Sequence, residues 1–172
     1  MQKILNNYSI NFNTIKRKKE KIKYLVFHYT GMKSEKLAIR RLKDKKSKVS
    51  CHYFIKKNGT ILNMVPESYI SWHAGISNWK KYDKINKNSI GIEIQNPGHK
   101  NNYSNFSIKQ IRSIEYLSKK LIKKFNLNKK NFLGHSDVSP DRKKDPGEKF
   151  PWKALSKYKI GIWHNLDNNL LQ

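Results

Sequence analysis

Tyr24-Leu25-Val26-Phe27-His28-Tyr29-Thr30-Gly31 is a short run of apolar, branched and aromatic side chains that stops at a turn residue. Such a run reads as a buried strand opening into a loop. Loops at strand ends carry site residues in α/β folds, which makes His28 the first candidate. A second strand reads from Ser89-Ile90-Gly91-Ile92-Glu93-Ile94-Gln95. Its isoleucines face one way, while Gly91, Glu93 and Gln95 face the other. Val49 to Ile55 and Thr60 to Val65 flank Lys56-Lys57-Asn58-Gly59, and Asn-Gly between alternating runs signals a hairpin. Phe132-Leu133-Gly134 reads as one more short strand.

Helices fall between these runs. Ser34 to Asp44 carries Leu37, Ile39 and Leu42 among charges, an amphipathic pattern. Ser107-Ile108-Lys109-Gln110 is a capping box, and Ile108, Ile111, Leu117, Leu121 and Phe125 follow at helical spacing. Trp152 to Tyr158 reads as a last short helix. Strands interspersed with helices, one hairpin included, predict a single α/β domain with a mixed sheet flanked by helices. Asn11 to Lys23 is polar and basic, a lead-in arm or edge segment. The expected division is a basic arm over 1–21, the domain over 22–163 and a tail over 164–172.

Composition narrows the function classes. With 172 residues the chain suits one domain, and its 12% aromatic content argues against wholesale disorder. A single cysteine, Cys51, excludes both an intramolecular disulfide and a Cys-rich zinc module. No run approaches the ~20 apolar residues of a membrane span. The first residues hold no apolar secretory core, so the chain as given reads as cytoplasmic, with the periplasm expected if its start lies upstream. The formal charge of +25 suits a polyanion partner. Its basic residues are scattered over the whole length, however, and Lys, Asn and Ile are all abundant, which favours compositional drift. No recognition-helix or aromatic-basic motif marks a nucleic-acid binder, and no specific nucleic acid is expected.

The loop Gly134-His135-Ser136-Asp137-Val138-Ser139-Pro140-Asp141-Arg142-Lys143-Lys144-Asp145-Pro146-Gly147 concentrates a histidine, three aspartates and a basic cluster in a stretch braced by two prolines. Ionisable side chains on such a braced loop point to a site. Imidazole and carboxylate are ligand types that zinc accepts at a catalytic centre. His28, His135 and Asp145 are the candidates, although each alone has an ordinary explanation in turn formation or packing.

Several segments together are similar to zinc-dependent N-acetylmuramoyl-L-alanine amidases, the superfamily that includes peptidoglycan recognition proteins. They are Phe27-His28-Tyr29-Thr30, Val49-Ser50-Cys51-His52-Tyr53-Phe54-Ile55, Trp72-His73-Ala74-Gly75, Asn88-Ser89-Ile90-Gly91-Ile92-Glu93-Ile94, Gly134-His135-Ser136-Asp137-Val138 and Arg142-Lys143-Lys144-Asp145-Pro146-Gly147. They occur in the family's order. The set most resembles the muropeptide-recycling and envelope amidases of Gram-negative bacteria, whose ligands are two His and one Asp. Phage and animal members usually carry Cys where this chain has Asp145.

The resemblance implies a hydrolase that cleaves the amide between N-acetylmuramic acid and L-alanine in peptidoglycan or anhydro-muropeptides. It implies zinc held by His28, His135 and Asp145, with a fourth position left for water. Glu93 matches the catalytic glutamate, a proton carrier between water and leaving amine. Lys143 matches a lysine that stabilises the oxyanion, and only its register distinguishes it from Lys144. Trp72, His73, Asn88 and Arg142 are expected to hold glycan and peptide. Cys51-His52 as a thiol with its base is set aside, because neighbours on a strand project to opposite faces. His99 and His164 read as surface or packing residues. A monomer is expected, acting on muropeptides. The rival classes are a non-catalytic peptidoglycan-binding module and, more remotely, a basic nucleic-acid binder.

Overall fold

The computed structural model describes residues 3–164; of the expected tail, 165–172 lie outside the described residues. Ten strands and four helices are present among them. The strands are β1 (Ile4–Asn6), β2 (Phe12–Asn13), β3 (Tyr24–Tyr29), β4 (Tyr53–Ile55), β5 (Ile61–Asn63), β6 (Ile70–Ser71), β7 (Asn78–Trp79), β8 (Tyr82–Asp83), β9 (Ser89–Ile94) and β10 (Phe132–Gly134). The helices are α1 (Glu35–Lys43), α2 (Ile108–Phe125), α3 (His135–Val138) and α4 (Trp152–Ser156).

Six strands form one mixed sheet in the order β1-β5-β4-β9-β3-β10. Only the β4–β5 hairpin is antiparallel within it. β3 and β9 are interior neighbours and read as near-continuous buried runs, as strands covered on both faces do. His28 stands opposite Glu93 in their register, so both side chains project from one face. The parallel strands β3, β9 and β10 all end at the same edge, where open α/β sheets form their crevices.

Alternation along β9 divides the two faces. Ile90, Ile92 and Ile94 pack with Leu25, Phe27, Ile114, Leu117 and Leu121 in the larger core. Burial of each of these side chains contributes about 1.5–3 kcal/mol. α2 covers that face, and its capping box forms as expected, with Ser107 accepting from the Gln110 backbone. Ile108 is 69% exposed, so the apolar stripe starts at Ile111, and Ile114 is a core residue that the spacing argument passed over. On the opposite face, two smaller clusters flank a polar strip. Val26, Ala74, Ile85, Leu133 and Val138 lie on one side; Ala38, Leu42, Cys51, Phe54 and Met64 lie on the other. Ser89, Gly91 and Glu93 run between them.

The segment read as a basic arm over 1–21 does not stand apart from the domain. β1 pairs in parallel with β5, and β2 pairs with β6. The Ser9 hydroxyl donates to Leu42 O at 2.5 Å, and Asn11 Nδ2 donates to Asp44 O at 2.8 Å and Val49 O at 2.9 Å. These short polar side chains satisfy carbonyls at the end of α1, Leu42 O and Asp44 O, and one beyond it, Val49 O. Val49 to Ile55 is strand only from Tyr53, because Ser50 bonds through its backbone to Trp72 O. No helix among the described residues is long and apolar enough to cross a membrane.

Candidate metal centre

β3 delivers His28 at its carboxyl end, and β10 delivers His135 at the first position of α3. The loop after α3 returns so that the Ser136 N–H donates to Asp145 O at 2.8 Å. The return is close: a Cβ on Gly134 would lie 2.7 Å from Pro146 Cδ, so the strand must pass the loop without a side chain there. Three ligand atoms from residues far apart in sequence thereby converge. His28 Nδ1 and His135 Nδ1 lie 2.9 Å apart, and each is 3.0 Å from Asp145 Oδ2. The residues are 1%, 3% and 7% exposed.

Both outer ring nitrogens are occupied. His135 Nε2 lies 3.1 Å from Ala74 O, which can only accept, so Nε2 carries the proton and Nδ1 a lone pair. His28 Nε2 lies 3.0 Å from His73 Nδ1. Burial and the neighbouring His135 push the His28 pKa down to about 4, against the opposing pull of Asp145. Two imidazoles with their outer nitrogens engaged and one carboxylate, converging in a buried pocket, form a donor set that fits a divalent cation such as zinc.

Glu93 lies on the strand next to His28 and reaches into the same groove, where its Oε2 is buried with no hydrogen-bond partner. Burial and the Asp145 carboxylate push its pKa well above the ordinary value, and Lys143 pulls the other way. Lys143 acts electrostatically on both Glu93 and His28. The groove, about 880 Å³, is also lined by Lys144, Trp72 and Arg142.

The residues expected to bind substrate divide. The Trp72 ring lines the groove and its Nε1 donates to Asn13 Oδ1 at 2.6 Å. The Arg142 guanidinium donates to Ile76 O and reaches Ala74 O at 3.4 Å, bracing the loop that holds His135. His73 has no ring nitrogen left for a ligand, since Nε2 meets Ser89 Oγ at 3.0 Å. Burial, then the neighbouring imidazoles, keep it neutral by lowering its pKa well below the ordinary value. Asn88 precedes β9, at the end opposite Glu93, and its Nδ2 donates to Lys21 O at 3.1 Å. It fastens the incoming chain and does not line the groove.

Other histidines serve around the site, His99 as the surface and packing residue expected. His99 lines the groove wall, with Nδ1 2.9 Å from the Tyr29 hydroxyl and Nε2 2.8 Å from Glu148 Oε2. His52 Nδ1 accepts from the Gly91 N–H at 3.0 Å, and its ring meets the Arg17 guanidinium at 2.9 Å. Cys51 is fully buried against Met64 Sδ at 3.8 Å, and burial raises its thiol pKa well above the ordinary value. That environment suits packing and not nucleophilic chemistry.

Comparison with known proteins agrees with this geometry. A family described as N-acetylmuramoyl-L-alanine amidase matches residues 18–148. N-acetylmuramoyl-L-alanine amidase AmiD of Escherichia coli K12 is 37% identical over 155 residues, covering 83% of this chain and 55% of that protein. The 1,6-anhydro-N-acetylmuramyl-L-alanine amidase AmpD of Haemophilus influenzae is 36% identical over 107 residues, covering 62% and 56%. The chain therefore spans little more than half the length of these relatives. The structure of E. coli AmiD with the substrate anhydro-N-acetylmuramic acid-L-Ala-D-γ-Glu-L-Lys matches with a TM-score of 0.78 and 35% identity, covering 87% of this chain and 61% of that one. AmpDh3 of Pseudomonas aeruginosa, in complex with anhydromuramic pentapeptide, matches with a TM-score of 0.78 at 30% identity, covering 94% and 69%. A family match over most of the chain, joined to a shared fold, makes this protein a member of the N-acetylmuramoyl-L-alanine amidase family.

Proposed function

We propose that this chain is a zinc-dependent hydrolase that cleaves the amide between N-acetylmuramic acid and L-alanine, with anhydro-muropeptides as its substrates. The observation that carries this reading is the convergence of His28 Nδ1, His135 Nδ1 and Asp145 Oδ2 in the groove that Glu93 lines with a buried, unpartnered Oε2. Zinc held by His28, His135 and Asp145 would supply Lewis acidity and make water a stronger acid.

The protein's own groups supply the rest. Glu93, half-buried with its Oε2 enclosed and unpartnered, would take a proton from water and return it to the leaving amine. Lys143 offers a positive charge where the carbonyl oxygen gains negative charge. The Trp72 ring offers a flat apolar face to a sugar. The anhydro-muramyl ligands of the AmiD and AmpDh3 structures support the choice of substrate class.

The test is direct. Incubation with an anhydro-muropeptide is expected to release the stem peptide, the release stopping in excess chelator and returning on zinc addition. Release that persists after complete metal removal refutes the mechanism. Binding without release favours a non-catalytic recognition module.

A further inference from the structure

We infer that His73 is a positioning residue that fixes the tautomer of His28, through a hydrogen-bond chain ending on the Ile85 carbonyl, and so presents His28 Nδ1 to the metal. This rests on the zinc reading above and assigns His73 a role distinct from substrate contact.

The chain of donors has one consistent direction. A carbonyl oxygen only accepts, so the Ser89 hydroxyl donates to Ile85 O at 2.7 Å. Ser89 Oγ then accepts from His73 Nε2–H at 3.0 Å. A neutral imidazole carries one N–H, which leaves a lone pair on His73 Nδ1. His28 Nε2, 3.0 Å away, is therefore the donor. His28 Nδ1 is left bare, facing His135 Nδ1 and Asp145 Oδ2. Partners that hold the outer nitrogen of a ligating histidine orient the ring and set its tautomer.

The two ligand imidazoles reach this state by different routes from one short segment. Ala74 O takes the outer proton of His135 directly. His28 stands on the central strand with its outer nitrogen turned along the sheet face, so a side chain must serve it. His73 does so, and Asn86 Oδ1 accepts from the His73 and Ala74 backbone N–H groups at 3.2 and 2.8 Å. The polar strip of β9 completes the seat. Ser89 binds the ring, Gly91 lies beneath it and Glu93 meets the substrate side, all from the alternating positions of one strand.

The experiment measures zinc affinity of the metal-free full chain by competition with a chromophoric chelator. His73→Leu is expected to weaken zinc binding about 10–100-fold, the usual cost of losing such a partner. His73→Asn places Oδ1 where Nδ1 stood and is expected to restore most of the affinity. Ser89→Ala frees His73 to adopt the opposite tautomer and is expected to fall between them. Long-range proton–nitrogen spectra of zinc-loaded wild type are expected to show His28 protonated at Nε2. Thermal melting of each metal-free variant reports folding, and if His73→Leu does not fold, Ser89→Ala and the spectra decide. Wild-type affinity in folded His73→Leu, no gain from Asn over Leu, or metal on His28 Nε2 overturns the inference. Failure of the wild type to bind zinc instead overturns the metal centre, and the inference with it.

Discussion

Gly91 and His73 occupy adjoining space so completely that a Cβ on Gly91 would lie 2.2 Å from His73 Cγ. The absence of a side chain on one strand thus makes room for the imidazole that meets the outer nitrogen of His28. Neither residue needs to touch a substrate for the pair to affect the site.

Gly91→Ala is expected to displace the His73 ring. Overpacking of this kind costs about 1–3 kcal/mol, read as a lower midpoint in urea unfolding of the metal-free chain. Zinc affinity is expected to fall about tenfold or more, as for loss of a ligand's partner. An alanine variant with wild-type stability and affinity would show that the ring relocates freely.

Glu93→Gln is expected to reduce turnover about 10²–10⁴-fold, the range for a positioned proton carrier. Zinc affinity should be retained, because Glu93 is not part of the ligand set. In wild type, Glu93 serves as a base only when ionised, and its pKa is raised by burial and Asp145. Activity is therefore present above the raised value and falls as pH drops through it, well above the ~4.3 of an ordinary glutamate. Stability carries the opposite sign. A raised carboxylate pKa contributes most below the unfolded value and is lost as pH climbs through the folded one. The metal-free glutamine variant should thus melt no lower than wild type at neutral pH.

Lys143→Met and Lys144→Met separate two adjacent cations. Of these two lysines, Lys143 is the one whose charge bears on both Glu93 and His28. Its loss is expected to lower kcat about 10²–10³-fold, comparable with removing an oxyanion donor. Lys144→Met is expected to leave turnover near wild type. A defect confined to Lys144 would reverse the assignment.

How far the sequence carried this picture depended on whether the signal was local. The alternation of β9 was visible because period two is a property of neighbouring residues, and it set Glu93 on the face opposite the isoleucines. The hairpin and the α2 cap were equally local. His28, His135 and Asp145 are spread along the chain, and the set of segments, not their spacing, brought them together. The role of Gly91 was hidden, because the ring that requires it comes from another segment. That Ile4–Asn13 joins the domain was less legible, because Ser9 and Asn11 act by hydrogen-bonding to carbonyls and leave no hydrophobic period. Asn88 matched a family segment, yet its place at the start of β9 sets it far from the crevice.

Tyr53 and Glu67 provide a stability prediction remote from the crevice. The Tyr53 hydroxyl donates to Glu67 Oε1 at 2.5 Å, and Lys124 Nζ lies 3.3 Å from Glu67 Oε2. Burial alone would raise the Glu67 pKa, but the Tyr53 hydrogen bond and then Lys124 outweigh it and lower the value. A lowered carboxylate pKa stabilises the fold above the unfolded value and loses that contribution as pH falls through the folded one. Tyr53→Phe is expected to cost about 1.5–3 kcal/mol at neutral pH, the range for a hydrogen bond to a charged group. The difference from wild type should shrink below pH ~4, where Glu67 is protonated in the unfolded chain. Lys124→Met should cost less, about 0–1 kcal/mol and fading with salt, because its ammonium is half-exposed. Urea unfolding at two pH values checks both, and a Tyr53→Phe penalty that stays constant into acid would show that Glu67 is not the group being stabilised.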